Sequence, residues 1–153
     1  MELAGGHCGY ALLMSSTYQD FNRTLIDHLR TNGGKAPDGP FKGRSLVIIT
    51  TKGARSGAVH ESPLVYSRDG DKYVVVASKG GAPTNPNWYH NLLAHPEITV
   101  EIGGEKFKAR AREAGDDEYE RLYQNHAKNM PAFNDYRKKT TRKIPVMILE
   151  RVD

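Results

Sequence analysis

With 153 residues and a formal net charge of +4, the chain has the length of one domain, enough to bury about 68–70% of its unfolded surface. Its one cysteine, Cys8, excludes an internal disulfide framework and a multi-thiolate zinc site, and fits a reducing, cytoplasmic compartment. No apolar run approaches the roughly 20 residues that span a bilayer, and the modest basic excess favours an anionic partner without separating a phosphorylated cofactor from nucleic acid.

Residues 1–14 are glycine-rich and lack periodicity. They read as an extension or tag, with Met14 as an alternative start and residues 15–153 as the folded domain. Tyr18, Phe21, Leu25 and Leu29 recur at helical spacing, which predicts an amphipathic helix from Gln19 to Thr31, stopped by Asn32-Gly33-Gly34. A Pro- and Gly-rich connection from Lys35 to Gly43 leads to a strand over Ser45 to Thr51. A second strand, Val59 to Ser67, carries Pro63, which marks an edge or bulge because it has no N–H to donate. Asp69-Gly70 predicts a hairpin into a third strand, Lys72 to Ala77.

Asn85-Pro86 offers an N-cap and first-turn proline for a helix through Leu93, which His95-Pro96 ends. Strands Ile98 to Ile102 and Lys106 to Arg112 flank Gly103-Gly104, a second hairpin signal. The latter alternates cleanly, with Phe107, Ala109 and Ala111 on one face and Lys106, Lys108, Arg110 and Arg112 on the other. Asp116-Asp117-Glu118 opens a helix marked by Tyr119, Leu122, Tyr123 and His126 and ended by Pro131. A basic stretch, Arg137 to Lys143, precedes a last strand over Val146 to Val152. About six strands joined mainly by hairpins, with about three helices around them, predict an α+β domain built on an antiparallel barrel or curled sheet.

Two loops carry the chemistry. Lys52-Gly53-Ala54-Arg55-Ser56-Gly57 and Ser78-Lys79-Gly80-Gly81-Ala82-Pro83-Thr84-Asn85-Pro86-Asn87-Trp88-Tyr89 each follow a run of β-branched residues. Each joins small residues, which let backbone N–H groups converge, to a cation that attracts an anion. They read as two halves of one anion site on a common rim. Neither GxxxxGK[ST] nor a GxGxxG opening a helix occurs, so neither a nucleoside triphosphatase nor a Rossmann site is supported.

Thr50-Thr51-Lys52-Gly53-Ala54-Arg55-Ser56-Gly57, Pro63-Leu64, Arg68-Asp69-Gly70, Ala77-Ser78-Lys79-Gly80-Gly81-Ala82, Asn85-Pro86-Asn87-Trp88-Tyr89-His90-Asn91 and Ile144-Pro145-Val146, in that order and spacing, resemble the deazaflavin-dependent nitroreductase and quinone reductase family. The resemblance implies a split β-barrel and coenzyme F420, a deazaflavin with a phosphodiester and an oligoglutamate tail, with FMN as the alternative cofactor. It places Lys52, Ala54, Arg55, Ser56 and His60 along the phosphate and tail, and Pro63, Leu64, Val65 and Tyr66 at the ring. Val76, Ala77, Ser78 and Lys79 would run beneath the ring, and Asn87, Trp88, Tyr89 and Asn91 would close the other side. Ser78, Tyr66 and Tyr136 become the candidate catalytic residues, and Val65, Met130, Phe133 and Tyr136 the substrate wall. Members that reduce bulky nitroimidazoles carry tyrosine where Val65, Met130 and Phe133 stand, so the resemblance implies a flat quinone acceptor here, with nitroreduction as a side activity.

The histidines His60, His90, His95 and His126 form no metal-ligand pattern, and no metal is expected. The basic stripe on residues 106–112 and 137–143 is interrupted by Glu105 and Glu113 and lacks a stacking-aromatic motif. It reads as solvated surface rather than a nucleic-acid site, while peripheral contact with the inner membrane face stays compatible with a lipophilic acceptor. The rival from another class is a non-catalytic module holding a flavin, deazaflavin or lipophilic ligand on the same barrel. Oligomeric state is left open.

Overall fold

The computed structural model describes residues 22–36 and 44–152. The expected extension over residues 1–14, Tyr18, Phe21 and most of the Lys35 to Gly43 connection lie outside them. Residues 22–31 form helix α1, which turns off where Gly33 and Gly34 take φ of 64° and 82°. Leu25, Ile26 and Leu29 are its buried face.

The strands are β1 (Val47–Lys52), β2 (Val59–Leu64), β3 (Ser67–Asp69), β4 (Lys72–Val76), β5 (Glu97–Ile102), β6 (Glu105–Glu113) and β7 (Val146–Arg151). They pair antiparallel in the order β2-β1-β5-β6-β7-β4-β3. Strands β2 and β3 stand at opposite ends of that order, yet only Val65 and Tyr66 separate them. Laid flat, the order spans roughly 29 Å from neighbour spacings of about 4.8 Å, whereas Leu64 to Ser67 reaches at most about 11 Å. The sheet therefore curls until its edges meet.

This corrects the single strand expected over Val59 to Ser67. The run continues in one direction but changes partner, Leu64 pairing with Val47 on β1 and Ser67 with Val74 on β4. A residue pair that crosses the seam gives the expected six-strand barrel a seventh strand. Pro63 sits on β2, at an end of the order, as its missing donor requires.

Period-two alternation sorts the core. Val47, Ile49, Val75, Val100, Phe107, Ala109, Met147 and Leu149 fill the lumen. Val74, Val76, Val146 and Ile148 face outward under α3 (Asp116–Asn129) and α4 (Ala132–Lys139), and Leu46 and Ile48 lie under α1. Thus β1, β4 and β7 are covered on both faces and read as continuous apolar runs. In β6 the outer residues are exposed, so it alternates. The hairpin at Gly103-Gly104 forms as expected, both glycines taking positive φ.

Helix α4 is absent from the sequence expectation, which took this stretch as a helix end and a basic run. Its short apolar stripe becomes stable by packing: Phe133 is buried, its carbonyl accepts from Tyr123 Oη at 2.6 Å, and the Arg137 guanidinium lies 4.0 Å from the Tyr123 ring centroid. Helix α2 (Asn87–Ala94) begins one residue later than expected. Pro86 occupies the cap position, and the Asn85 side-chain oxygen accepts from Arg142 Nη1 at 2.5 Å instead of capping.

Four cations of the basic stripe are held in ion pairs. Arg110 meets Glu97, Arg112 meets Glu118 and Glu150, Arg137 meets Glu120, and Lys143 meets Asp116. Among the described residues no helix is long and apolar enough to cross a membrane.

Candidate active site

Four antiparallel steps separate β1 from β4 in the strand order, so the two strands run in the same direction and their C-terminal ends share one rim. Both chemistry-bearing loops therefore leave from that rim, as the sequence predicts. Helix α2 joins them. It follows the second loop, and Leu92 closes the lumen between the strands.

The first loop is folded on itself. Gly53 N–H donates to the Ala58 carbonyl at 2.7 Å, Gly57 N–H to Gly53 at 3.0 Å, and Ala58 N–H to Ser56 Oγ at 3.1 Å. Ala54 N–H donates to Asn91 Oδ1 at 2.9 Å, and Asn91 Nδ2 donates to Thr51 Oγ1 at 3.2 Å. The expectation of converging N–H groups is corrected here for Gly53, Ala54, Gly57 and Ala58, whose donors are committed within the fold. The side chains of Lys52, Arg55 and Ser56 are exposed. Asn91 is a buried latch between α2 and the loop, both ends of its amide engaged. His60 stands opposite Thr51 on β2, its Nε2 3.3 Å from where a Cβ on Gly53 would lie.

The second loop is held from outside. Lys79, Gly80 and Gly81 take φ of 47°, 65° and 85° after a right-handed Ser78. Gly81 lies against α4 so closely that a Cβ there would stand 2.9 Å from both Lys139 Cβ and the Tyr136 carbonyl oxygen. Behind the loop, Arg142 donates through Nε to Ala82 (2.9 Å), through Nη2 to Ser78 (2.8 Å), and through both Nη atoms to Ala77 (3.3 Å). Burial lowers the Arg142 guanidinium below its ordinary range. The sequence offered no sign of this role, because Arg142 is one cation in a basic run.

On α2, Asn87 is exposed and Trp88 and Tyr89 pack half-buried on the lumen cluster. Tyr89 Oη donates to Glu113 at 2.8 Å, and burial, with Glu113 adding to it, pushes its phenol up to about 12. The N-terminus of α2 follows the second loop in the chain.

Ser78, buried at 6% exposure, sits where β4 meets the loop. Val76 and Ala77 precede it, both buried. Val65, Met130, Phe133 and Tyr136 come together: all pack in the α3–α4 cluster, and Val65 and Met130 also touch the α1 cluster. The Phe133 and Tyr136 rings meet edge-on at 5.2 Å. Leu64 and Tyr66 pack instead on the lumen side, Tyr66 edge-on to Tyr73 at 5.9 Å. The two candidate proton donors are thus separated, and only Tyr136 adjoins the second loop.

His126 is fully buried, shares a hydrogen bond with Ser67 across 2.9 Å through Nδ1, and meets the Phe133 ring edge-on at 4.4 Å. Burial, reinforced by Arg44, holds it down to about 4. It is therefore neutral at neutral pH.

A family model described as F420H(2)-dependent quinone reductase matches residues 21–151. The chain belongs to this family. An F420H(2)-dependent quinone reductase of Mycobacterium tuberculosis is 40% identical over 124 residues, covering 79% of this chain and 83% of the relative. A solved F420-H2 dependent reductase is 39% identical with a TM-score of 0.64, over 69% of this chain and 93% of its own. A structure described as a domain-swapped dimer is 34% identical, with a TM-score of 0.66, over 84% and 96%. HutZ of Vibrio cholerae, at 12% identity and a TM-score of 0.55, shares the fold alone. The fold is the split barrel of these reductases, the family is one of oxidoreductases, and its cofactor is coenzyme F420. The rim residues fit that group: the exposed cations Lys52, Arg55 and Lys79 have the charge its phosphodiester and carboxylates would need.

Proposed function

We propose that this chain reduces a flat, apolar quinone, holding the cofactor's anionic part at Lys52, Arg55, Ser56 and Lys79 and the acceptor at the seam between Ser78 and Tyr136. The observation that carries this reading is the direct packing of the second loop on α4, Gly81 against the Tyr136 carbonyl, which adjoins the cofactor loop to the wall of Val65, Met130, Phe133 and Tyr136. Bound reduced F420 supplies a hydride. The chain's part is orientation, exclusion of water and delivery of one proton.

Ser78 is suited to hydrogen-bond the cofactor ring or an acceptor oxygen. Tyr136 is suited to give the proton that a hydride-reduced quinone needs, directly or through one water. Val65, Met130 and Phe133 keep apolar contact but lack hydroxyls, so bulky nitroimidazoles lose recognition and turn over as a side reaction at most. Carboxylates pair four cations of the basic face, Arg110, Arg112, Arg137 and Lys143, which supports a small-molecule partner over nucleic acid.

Titration of the purified chain with F420 and with FMN, followed by oxidation of the reduced cofactor by a quinone series, tests the proposal. Tight F420 binding with quinone-dependent oxidation is expected, and Ser78→Ala and Tyr136→Phe should each lower kcat about 10²-fold. Binding without oxidation would leave a ligand-holding module. Turnover of nitroimidazoles with no quinone accepted would overturn the acceptor class.

A further inference from the structure

We propose that Arg142 is a positioning residue that sets the shape of the second loop and, through that shape, the affinity for coenzyme F420; the affinity part rests on the cofactor reading above. Its guanidinium fork meets Ala77, Ser78 and Ala82 carbonyls and Asn85 Oδ1, all neutral acceptors and all within one stretch, residues 77–85. Every peptide in the described chain is trans, so turning the Ala77 and Ser78 carbonyls onto Arg142 turns the N–H groups of Ser78 and Lys79 the opposite way.

The backbone dihedrals lead to the same place. Ser78 is right-handed, at φ −74° and ψ −37°, and Lys79 left-handed, at φ 47°. That succession gathers consecutive N–H groups into a concavity that takes an anion. Gly81 and Ala82 N–H groups are spent on the Ser78 and Lys79 carbonyls, so the concavity consists of Ser78, Lys79 and Gly80. A left-handed lysine is strained, and persists only where its surroundings over-determine it. Arg142 on one side and α4 against Gly81 on the other provide that.

Charge adds to shape. None of the partners of Arg142 among the described residues is a carboxylate, unlike Arg30, Arg112, Arg121 and Arg137, which are paired with acids. A part-buried cation behind a loop with no carboxylate partner leaves a positive potential there, which an anion on the outer side neutralises. Lysine would keep the charge but not the fork.

The test uses Arg142→Ala and Arg142→Lys in the full chain, with F420 affinity read by fluorescence titration and loop order by amide hydrogen exchange of the cofactor-free protein. Arg142→Ala should weaken F420 binding about 30-fold and Arg142→Lys about tenfold. Exchange at Gly81 and Ala82, whose N–H groups close the loop on the Ser78 and Lys79 carbonyls, should accelerate about tenfold or more while β5 and β6 stay unchanged. Millimolar guanidinium should recover part of the affinity of Arg142→Ala and leave the wild type unmoved, a response that general destabilisation would not give. Affinity within about twofold of wild type, or unchanged exchange at Gly81 and Ala82, overturns the proposal. If Arg142→Ala does not fold, the same thresholds apply to Arg142→Lys. A wild-type chain that fails to bind F420 overturns the cofactor reading itself, and loop setting is then judged by exchange alone.

Discussion

The two loops of the rim look alike in sequence, each a glycine-rich turn with a cation after an apolar strand, but they are held in opposite ways. The first is closed by its own hydrogen bonds, with Asn91 as its one latch from outside. The second depends on Arg142 behind it and α4 beside it. A loop that spends its own N–H groups to keep its shape has side chains left for recognition. A loop braced from outside keeps its backbone for recognition, and its conformation is only as secure as the brace.

The largest effect that would break this contrast is steric. Gly81→Ala places a Cβ 2.9 Å from backbone and side-chain atoms of α4 at a φ of 85°, and should cost about 3–4 kcal/mol, from overpacking and left-handed strain together. Gly57→Ala, in the first loop at a φ of 72° but with its nearest atom 3.6 Å away at Lys52 Cε, should cost only the strain, about 1–2 kcal/mol. Urea unfolding of both variants checks the pair, and equal losses would erase the distinction between the loops.

Acid should loosen the brace next. The α4 ring Phe133 rests on His126, whose folded value is held at about 4 against an ordinary 6.5. Between those values the unfolded chain binds the proton and the folded chain does not, so stability is full above about 6.5 and falls as pH drops toward 4. The loss attributable to this group is about 3 kcal/mol across that window. His126→Gln should flatten that part of the pH profile; an unchanged slope would show that carboxylates alone set it.

The smallest effect sharpens the comparison at the ligand. Lys52→Ala and Arg55→Ala remove exposed cations, so each should weaken F420 binding about three- to tenfold and lower its salt dependence. Exchange within the loop should not change, because its backbone bonds do not use those side chains. A rise in first-loop exchange would mean that the cations hold the loop as well as the ligand.

Much of the barrel was legible in local pattern. Gly103-Gly104, the clean alternation of β6 and the apolar runs of β1, β4 and β7 place strands without knowledge of partners, since period and turn chemistry are written in neighbouring residues. The grouping of Val65 with Met130, Phe133 and Tyr136 was legible only through resemblance: nothing local links Val65 to Met130 or Phe133. Helix α4 was missed because its stability comes from packing on Tyr123 of the preceding helix and on the second loop, contacts that its own apolar spacing does not show.

By itself, the sequence determined the hairpins, the two loops on their strands and the cofactor family, because backbone stereochemistry, side-chain period and motif spacing are properties of short stretches and their order. The tertiary structure alone decided that the Val59 to Ser67 run changes partner at Val65-Tyr66, that Val65 and Tyr66 face opposite sides of the barrel wall, and that Arg142, one cation among many, turns inward to grip the second loop. Each of these depends on which distant surface a residue meets, and that is settled only when the sheet closes.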